Sequence, residues 1–224
     1  MSDTTDNLKD IKRRAALAME RAGRTDEVYI MAVTKTVPFE KVNEAVRAGA
    51  DLLGENRVQE FLEKRENYEC GTPVHFIGRL QRNKIRQIVG LVDMIHSVDD
   101  FLTAEEISVR SEKIGITTDV LIEVNFAAEE SKGGVPPDQT EEFIAEADKL
   151  HGIRVRGIMT IPPPGESETY FPQAKALFGK LKETHTGIDT LSMGMSDDWE
   201  QAIEHGATII RIGSALFGKR SVNK

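Results

Sequence analysis

The sequence predicts a single (β/α)8 TIM barrel spanning residues 1–224. Three observations carry that prediction. Short apolar runs alternate with helix-spaced segments along the whole chain, the pattern of parallel βαβ units. The tally is eight strands, and 224 residues over eight units is about 28 each, compact but adequate for a closed barrel of typically about 250 residues. The competing arrangement, an open doubly wound sheet, lacks its usual Gly-x-Gly-x-x-Gly turn after the first strand.

The elements follow in order. Asn7–Ala22 is expected to be helical, with Leu8, Ile11, Ala15, Leu17 and Ala18 making a mainly helix-spaced apolar face and Gly23 as the stop. A buried strand is expected over Ile30–Thr36. Pro38 then starts a helix that Gly49 ends. Strands are expected at Asp51–Gly54, Val74–Gly78, Asp93–Val98, Asp119–Asn125, Val155–Ile161, Thr190–Met193 and Thr208–Ile212. Helices are expected at Glu55–Lys64, Asn83–Val89, Ala104–Lys113, Gln139–Leu150, Thr169–Lys182 and Asp197–His205. Too little chain follows the last strand for a full eighth helix, so the N-terminal helix is expected to complete the outer ring. Nothing resembles a linker or second domain.

The bulk properties limit the function classes. Hydrophobic residues make up 39% and charged residues 29%, with a mean hydropathy of -0.35. The net charge is -8, the pI about 5.3, and no basic stripe is obvious, which argues against nucleic acid as the main partner. No apolar run is long enough to span a bilayer, and the N-terminus lacks the apolar core of a signal peptide. The single cysteine, Cys70, cannot form an intrachain disulfide, which suits a reducing cytoplasm. The expectation is a cytoplasmic monomer with no nucleic-acid or membrane partner. The five histidines show no ligand spacing, so no metal site is expected.

Alternation puts Met31, Val33 and Lys35 on one face, so Lys35 points toward the interior. It either snorkels to water at the strand end or is a partly desolvated amine suited to forming an imine with a carbonyl compound. The loops after strands seven and eight, Ser192–Ser196 and Arg211–Ser214, offer small residues and free N–H groups for an anion. Ser196 can equally be a helix cap, and Gly213 only a strand-end turn. Barrel closure sets these loops across from Lys35. Such a lysine and phosphate site suits either pyridoxal 5'-phosphate or a phosphorylated sugar. Arg211 shares a face with Ile209 and Gly213. It is either an ordinary ion pair or a permanent cation that keeps a pyridine nitrogen unprotonated and the ring a poor electron sink. Asn56 is either a hydrogen bond to the ring oxygen or a helix cap, and His75 either a site residue or a satisfied core histidine.

Several motifs resemble the pyridoxal phosphate homeostasis protein family. They are Ala32–Lys35, Gly54–Glu60, His75–Lys84, Ile95–Val98, Glu129–Gly133, Met193–Asp198 and Arg211–Gly218. The resemblance implies a single barrel similar to the N-terminal domain of alanine racemase, without that enzyme's second domain. It implies that Lys35 carries the cofactor as an internal aldimine, that Ser196, Gly213 and Ser214 hold its phosphate, and that Arg211 approaches the ring nitrogen. Asn56, His75 and Met193 lie in the same motifs and complete the expected cofactor-binding set. The implied role is vitamin B6 homeostasis, holding pyridoxal phosphate and delivering it to apo-enzymes, with no catalytic turnover. The alternative is a small pyridoxal phosphate-dependent racemase-like enzyme, or an aldolase using Lys35. A racemase needs a second acid-base group, and Tyr29, Tyr68 and Tyr170 show no sign of delivery to the site. An aldolase leaves Arg211 without a reason. The chain departs mildly from the family in reading Gly-Gly after Lys132, whose loop is either a solvated connection or a lysine able to receive cofactor.

Overall fold

Eight parallel strands pair in sequence order and the last returns to the first, closing a barrel. They are β1 (Tyr29–Val33), β2 (Leu52–Glu55), β3 (Val74–Phe76), β4 (Met94–Val98), β5 (Thr118–Glu123), β6 (Ile153–Met159), β7 (Thr190–Ser192) and β8 (Ile209–Ile212). The closing pair sets Met31 opposite Arg211. The computed structural model describes residues 3–69, 71–129 and 133–218. Cys70 and Lys132 lie outside the described residues.

Two side-chain parities build two cores. One parity of strand residues, including Ile30, Ala32, Leu53, Ile95, Val120 and Ile210, packs in one cluster with the helix residues Leu8, Val42, Ile107 and Phe171. The opposite parity fills the barrel with two smaller clusters. Met31, Val33, Leu52, Ile77 and Ile209 form one, and Met94, Leu121 and Met159 the other. Strands buried on both faces explain why the sequence reads as near-continuous apolar runs.

The outer ring consists of α2 (Phe39–Arg47), α3 (Val58–Lys64), α4 (Arg82–Ile85), α5 (Phe101–Lys113), α6 (Thr140–Ala147), α7 (Ser167–Thr184) and α8 (Trp199–Glu204), with α1 (Thr4–Arg21) and α9 (Ser214–Phe217). As expected, α1 fills the gap after β8, packing on α2, α8 and α9. Asp3 caps it by accepting the Thr5 N–H at 3.0 Å. Arg14 lies over the Trp199 ring at 5.0 Å, and Arg21 pairs with both Glu200 and Glu204.

The structure differs from expectation at three places. β1 stops at Val33, so Lys35 sits in a turn rather than in the strand. α4 is a single turn, because the chain passes into turns that end at Gly90 with φ +82°. The cap of α8 is Asp198 rather than Ser196, and Asp198 Oδ1 accepts the Met195 N–H at 2.6 Å.

Candidate functional site

The turn Thr34-Lys35-Thr36 is held from below by buried polar groups. The Thr34 hydroxyl donates to Glu55 Oε1 at 2.6 Å. Tyr68 donates its phenol to the same oxygen, and Lys64 Nζ lies 3.3 Å from it. Lys64 also donates to the carbonyl of Thr34 at 2.9 Å and to Glu60 at 2.8 Å. Thr36 takes φ +61°, a left-handed conformation that a β-branched residue adopts only when its surroundings enforce it. Glu55 is fully buried, and burial with the adjacent carboxylate pushes the Tyr68 phenol well above its ordinary value. Lys35, half-buried, therefore projects from a rigid base. It shares a small cavity with Val33, Gly213, Ser214 and Phe217.

The loops after β7 and β8 meet at Ser196. Its hydroxyl accepts the N–H of Gly213 at 3.2 Å and of Ala215 at 3.3 Å. These contacts are long, so both amides are available to a stronger acceptor. The loop after β7 turns at Gly194, whose φ is +88° and where a Cβ would lie 2.5 Å from Ala202. Glycine is therefore required where the chain leaves the strand for α8.

Arg211 lies inside the barrel, 4% exposed. It donates to Ser192 Oγ at 2.8 Å and to the Thr160 carbonyl at 2.9 Å. Burial lowers its pKa to about 10, so it stays cationic at neutral pH. Ser192 Oγ lies 3.1 Å from His96 Nδ1, and His96 Nε2 lies 2.9 Å from His75 Nδ1. A polar line thus crosses the interior from β8 through β7 and β4 to β3. Burial holds His96 well below its ordinary pKa and lowers His75 to about 4, so both rings are neutral. A proton order that uses each of these contacts has Ser192 accepting from Arg211 and donating to His96, and His96 donating to His75.

Asn56 follows β2 and lines the mouth cavity with Ile77, Glu123 and Asn125. Its Oδ1 is buried with no hydrogen-bond partner. The Asn56 backbone is fixed by Gly78, where a Cβ would stand 2.1 Å from the Asn56 carbonyl oxygen. Burial raises Glu123 and Asp99 above the ordinary carboxylate range, and neighbouring acids add to both shifts.

The structure therefore brings Lys35, Ser196, Gly213 and Ser214 together, while Asn56 lines a separate cavity at the mouth. Arg211 lies deeper, level with Met31. His75 is the interior residue of the polar line and lines a cavity with Tyr29 and Thr208, toward the strand N-termini and away from the mouth. The expected place at the cofactor thus differs from where the structure sets His75, which connects to Arg211 through His96 and Ser192. Met193 also differs, because it has the opposite parity to Ser192. Its fully buried side chain packs in the core between strands and helices, leaving only its backbone near the loop. Sequence reasoning missed the roles of His96, Thr160 and Glu55, placed Ser192 only in a candidate anion loop, and weighed Tyr68 only as an acid-base group. A polar residue inside an apolar strand was the available signal for His96 and Ser192. Among the described residues, no group of three metal-ligating side chains occurs, and no helix is long and apolar enough to cross a membrane.

Comparison with known proteins fits this geometry. Residues 7–221 match the family model of the alanine racemase N-terminal domain. The chain is 44% identical to the pyridoxal phosphate homeostasis protein of Aquifex aeolicus, over 96% of this chain and 97% of that protein. PipY of Synechococcus elongatus, solved with PLP bound, superposes with a TM-score of 0.80 at 33% identity, covering 92% of this chain and all of that one. An alanine racemase of Clostridium difficile gives the same TM-score at 18% identity. It covers 99% of this chain but 61% of the racemase, which is a likeness of fold.

Proposed function

Because the chain belongs to the pyridoxal phosphate homeostasis protein family, we propose that it binds pyridoxal 5'-phosphate at the barrel mouth and supplies it to apo-enzymes in the cytoplasm. The observation that carries this reading is the shared cavity of Lys35, Gly213 and Ser214, joined through Ser196. The residues fit the cofactor. Gly213 and Ala215 present two weakly held N–H groups to an anion, and Asn56 brings an unpartnered buried oxygen. When bound, the cofactor would supply an aldehyde, the group that an amine such as that of Lys35 can hold covalently.

Each residue then has a defined task. Lys35 is the covalent anchor, positioned by the Glu55, Tyr68 and Lys64 base beneath its turn. Ser196, Gly213 and Ser214 hold the phosphate. Arg211, held cationic inside the barrel, would disfavour protonation of the pyridine nitrogen. Such a site retains cofactor without making it an electron sink, which supports a carrier rather than an enzyme. The test is the visible spectrum of the full-length protein with and without added pyridoxal phosphate, followed by mixing with an apo-enzyme. Expected are a new long-wavelength band and recovery of the recipient's activity as the band declines. No band, or a band with no transfer, contradicts the proposal.

A further inference from the structure

Beside the mouth lies a second, open cavity of about 840 Å³. Arg57, Arg79, Arg82 and Lys84 line it, supplied by the loop after β2 and by the segment running from β3 into α4. None of the four makes an ion pair or a side-chain hydrogen bond among the described residues. The chain has 37 acidic against 29 basic residues, yet four cations without an ion pair line this one cavity. Elsewhere Arg14, Arg21, Arg47, Arg154 and Arg156 all pair with carboxylates.

Among the described residues, two carboxylates line the cavity, Asp99 and Asp100. Asp100 is engaged as the cap of α5, accepting from the Thr103 N–H at 2.9 Å and from its hydroxyl at 2.6 Å. Asp99 is half-withdrawn and opposes an anion only in part. Four cations therefore face one engaged and one partly buried carboxylate. Guanidinium groups recognise phosphate oxygens in a paired fashion, and the cavity has the size of a small-molecule site.

We infer that this rim cavity is a second, non-covalent site for a small phosphorylated molecule. It adjoins the mouth, sharing Asn56, Arg79, Asp99 and Gly133 with the mouth cavity, but it needs no imine and does not depend on Lys35.

The test uses full-length protein loaded with pyridoxal phosphate and fixed by borohydride reduction. It is titrated calorimetrically with inorganic phosphate and, separately, with pyridoxine 5'-phosphate, which has no aldehyde. At least one probe should bind saturably at one further site. Binding should weaken with salt and fall by about tenfold or more in Arg79→Ala/Arg82→Ala, but not in the control Arg154→Ala. Tighter binding of pyridoxine 5'-phosphate means that the site reads the organic body; equal binding means that it reads phosphate alone. Both outcomes support the site. The same titrations on protein never exposed to cofactor, read as wild type minus the double variant, keep a failure of loading at Lys35 distinct from a failure at the rim. Absence of saturable binding, binding unchanged in the double variant, or binding of poly-glutamate but of neither phosphate probe overturns the inference.

Discussion

At the scale of single residues, alternation along an apolar run put Lys35 on the face of Met31 and Val33, whereas β1 stops at Val33 and Lys35 sits in the turn that follows. That turn was not legible. Thr34, Glu55, Lys64 and Tyr68 meet only after β1, β2 and the segment beyond α3 fold together, and nothing in the local pattern pairs a tyrosine with a glutamate thirteen residues earlier. Ser196 shows the same limit: its position suggested a cap, but its hydroxyl accepts from the loop after β8. Ser196→Ala should therefore leave the fold intact and weaken retention of pyridoxal phosphate. A hydrogen bond to a charged group contributes roughly 1.5–3 kcal/mol, so the loss should be about tenfold or more. Retention of pyridoxal, which lacks the phosphate, should not change. Equilibrium dialysis of both ligands against wild type and variant measures this, and an equal loss for the two contradicts a phosphate role.

Elements were read more securely than their ends. Every expected strand is present, because strands buried on both faces leave a strong apolar signal. Their limits moved where tertiary contacts compete, as at Val33, where the Thr34 hydroxyl turns to Glu55. The helix α1 was assigned its place by the shortage of chain after β8. It holds that place through Leu8, which is fully buried. Leu8→Ala should cost about 2–5 kcal/mol in urea unfolding, the range for a large core truncation. Arg21→Ala removes exposed ion pairs to Glu200 and Glu204 and should cost far less. If the two variants unfold at the same urea concentration, α1 is held by its charges rather than by its apolar face.

Closure is a property of the whole molecule, and so is the polar line from Arg211 to His75. It joins β8, β7, β4 and β3 through the interior, and the spacing of its members along the chain does not reveal it. Both histidines have folded pKa values below the unfolded one of about 6.5. The unfolded chain therefore takes up protons that the native barrel refuses. Stability from His75 is complete above about pH 6.5 and is lost as pH falls to about 4, on the order of 3 kcal/mol, and His96 acts in the same direction. Asp99 and Glu123, whose values are raised, oppose this trend, so the diagnostic is a comparison. The urea midpoint of His75→Gln should vary less between pH 6.5 and 4.5 than that of the wild type; identical slopes contradict neutral burial.

The same interior bears on turnover. With a permanent cation at Arg211, loaded protein in deuterated water should exchange the α-proton of added L-amino acids no faster than a Lys35→Ala control. Rapid, Lys35-dependent exchange by NMR would place the protein among the enzymes.

The central claim is that Lys35 is the anchor of the cofactor. Its most direct test is borohydride reduction of the loaded full-length protein, followed by peptide mapping. The pyridoxyl group should be found on the peptide containing Lys35, and Lys35→Ala should lose it while remaining folded. A label found mainly on another lysine, or undiminished in Lys35→Ala, would contradict the account.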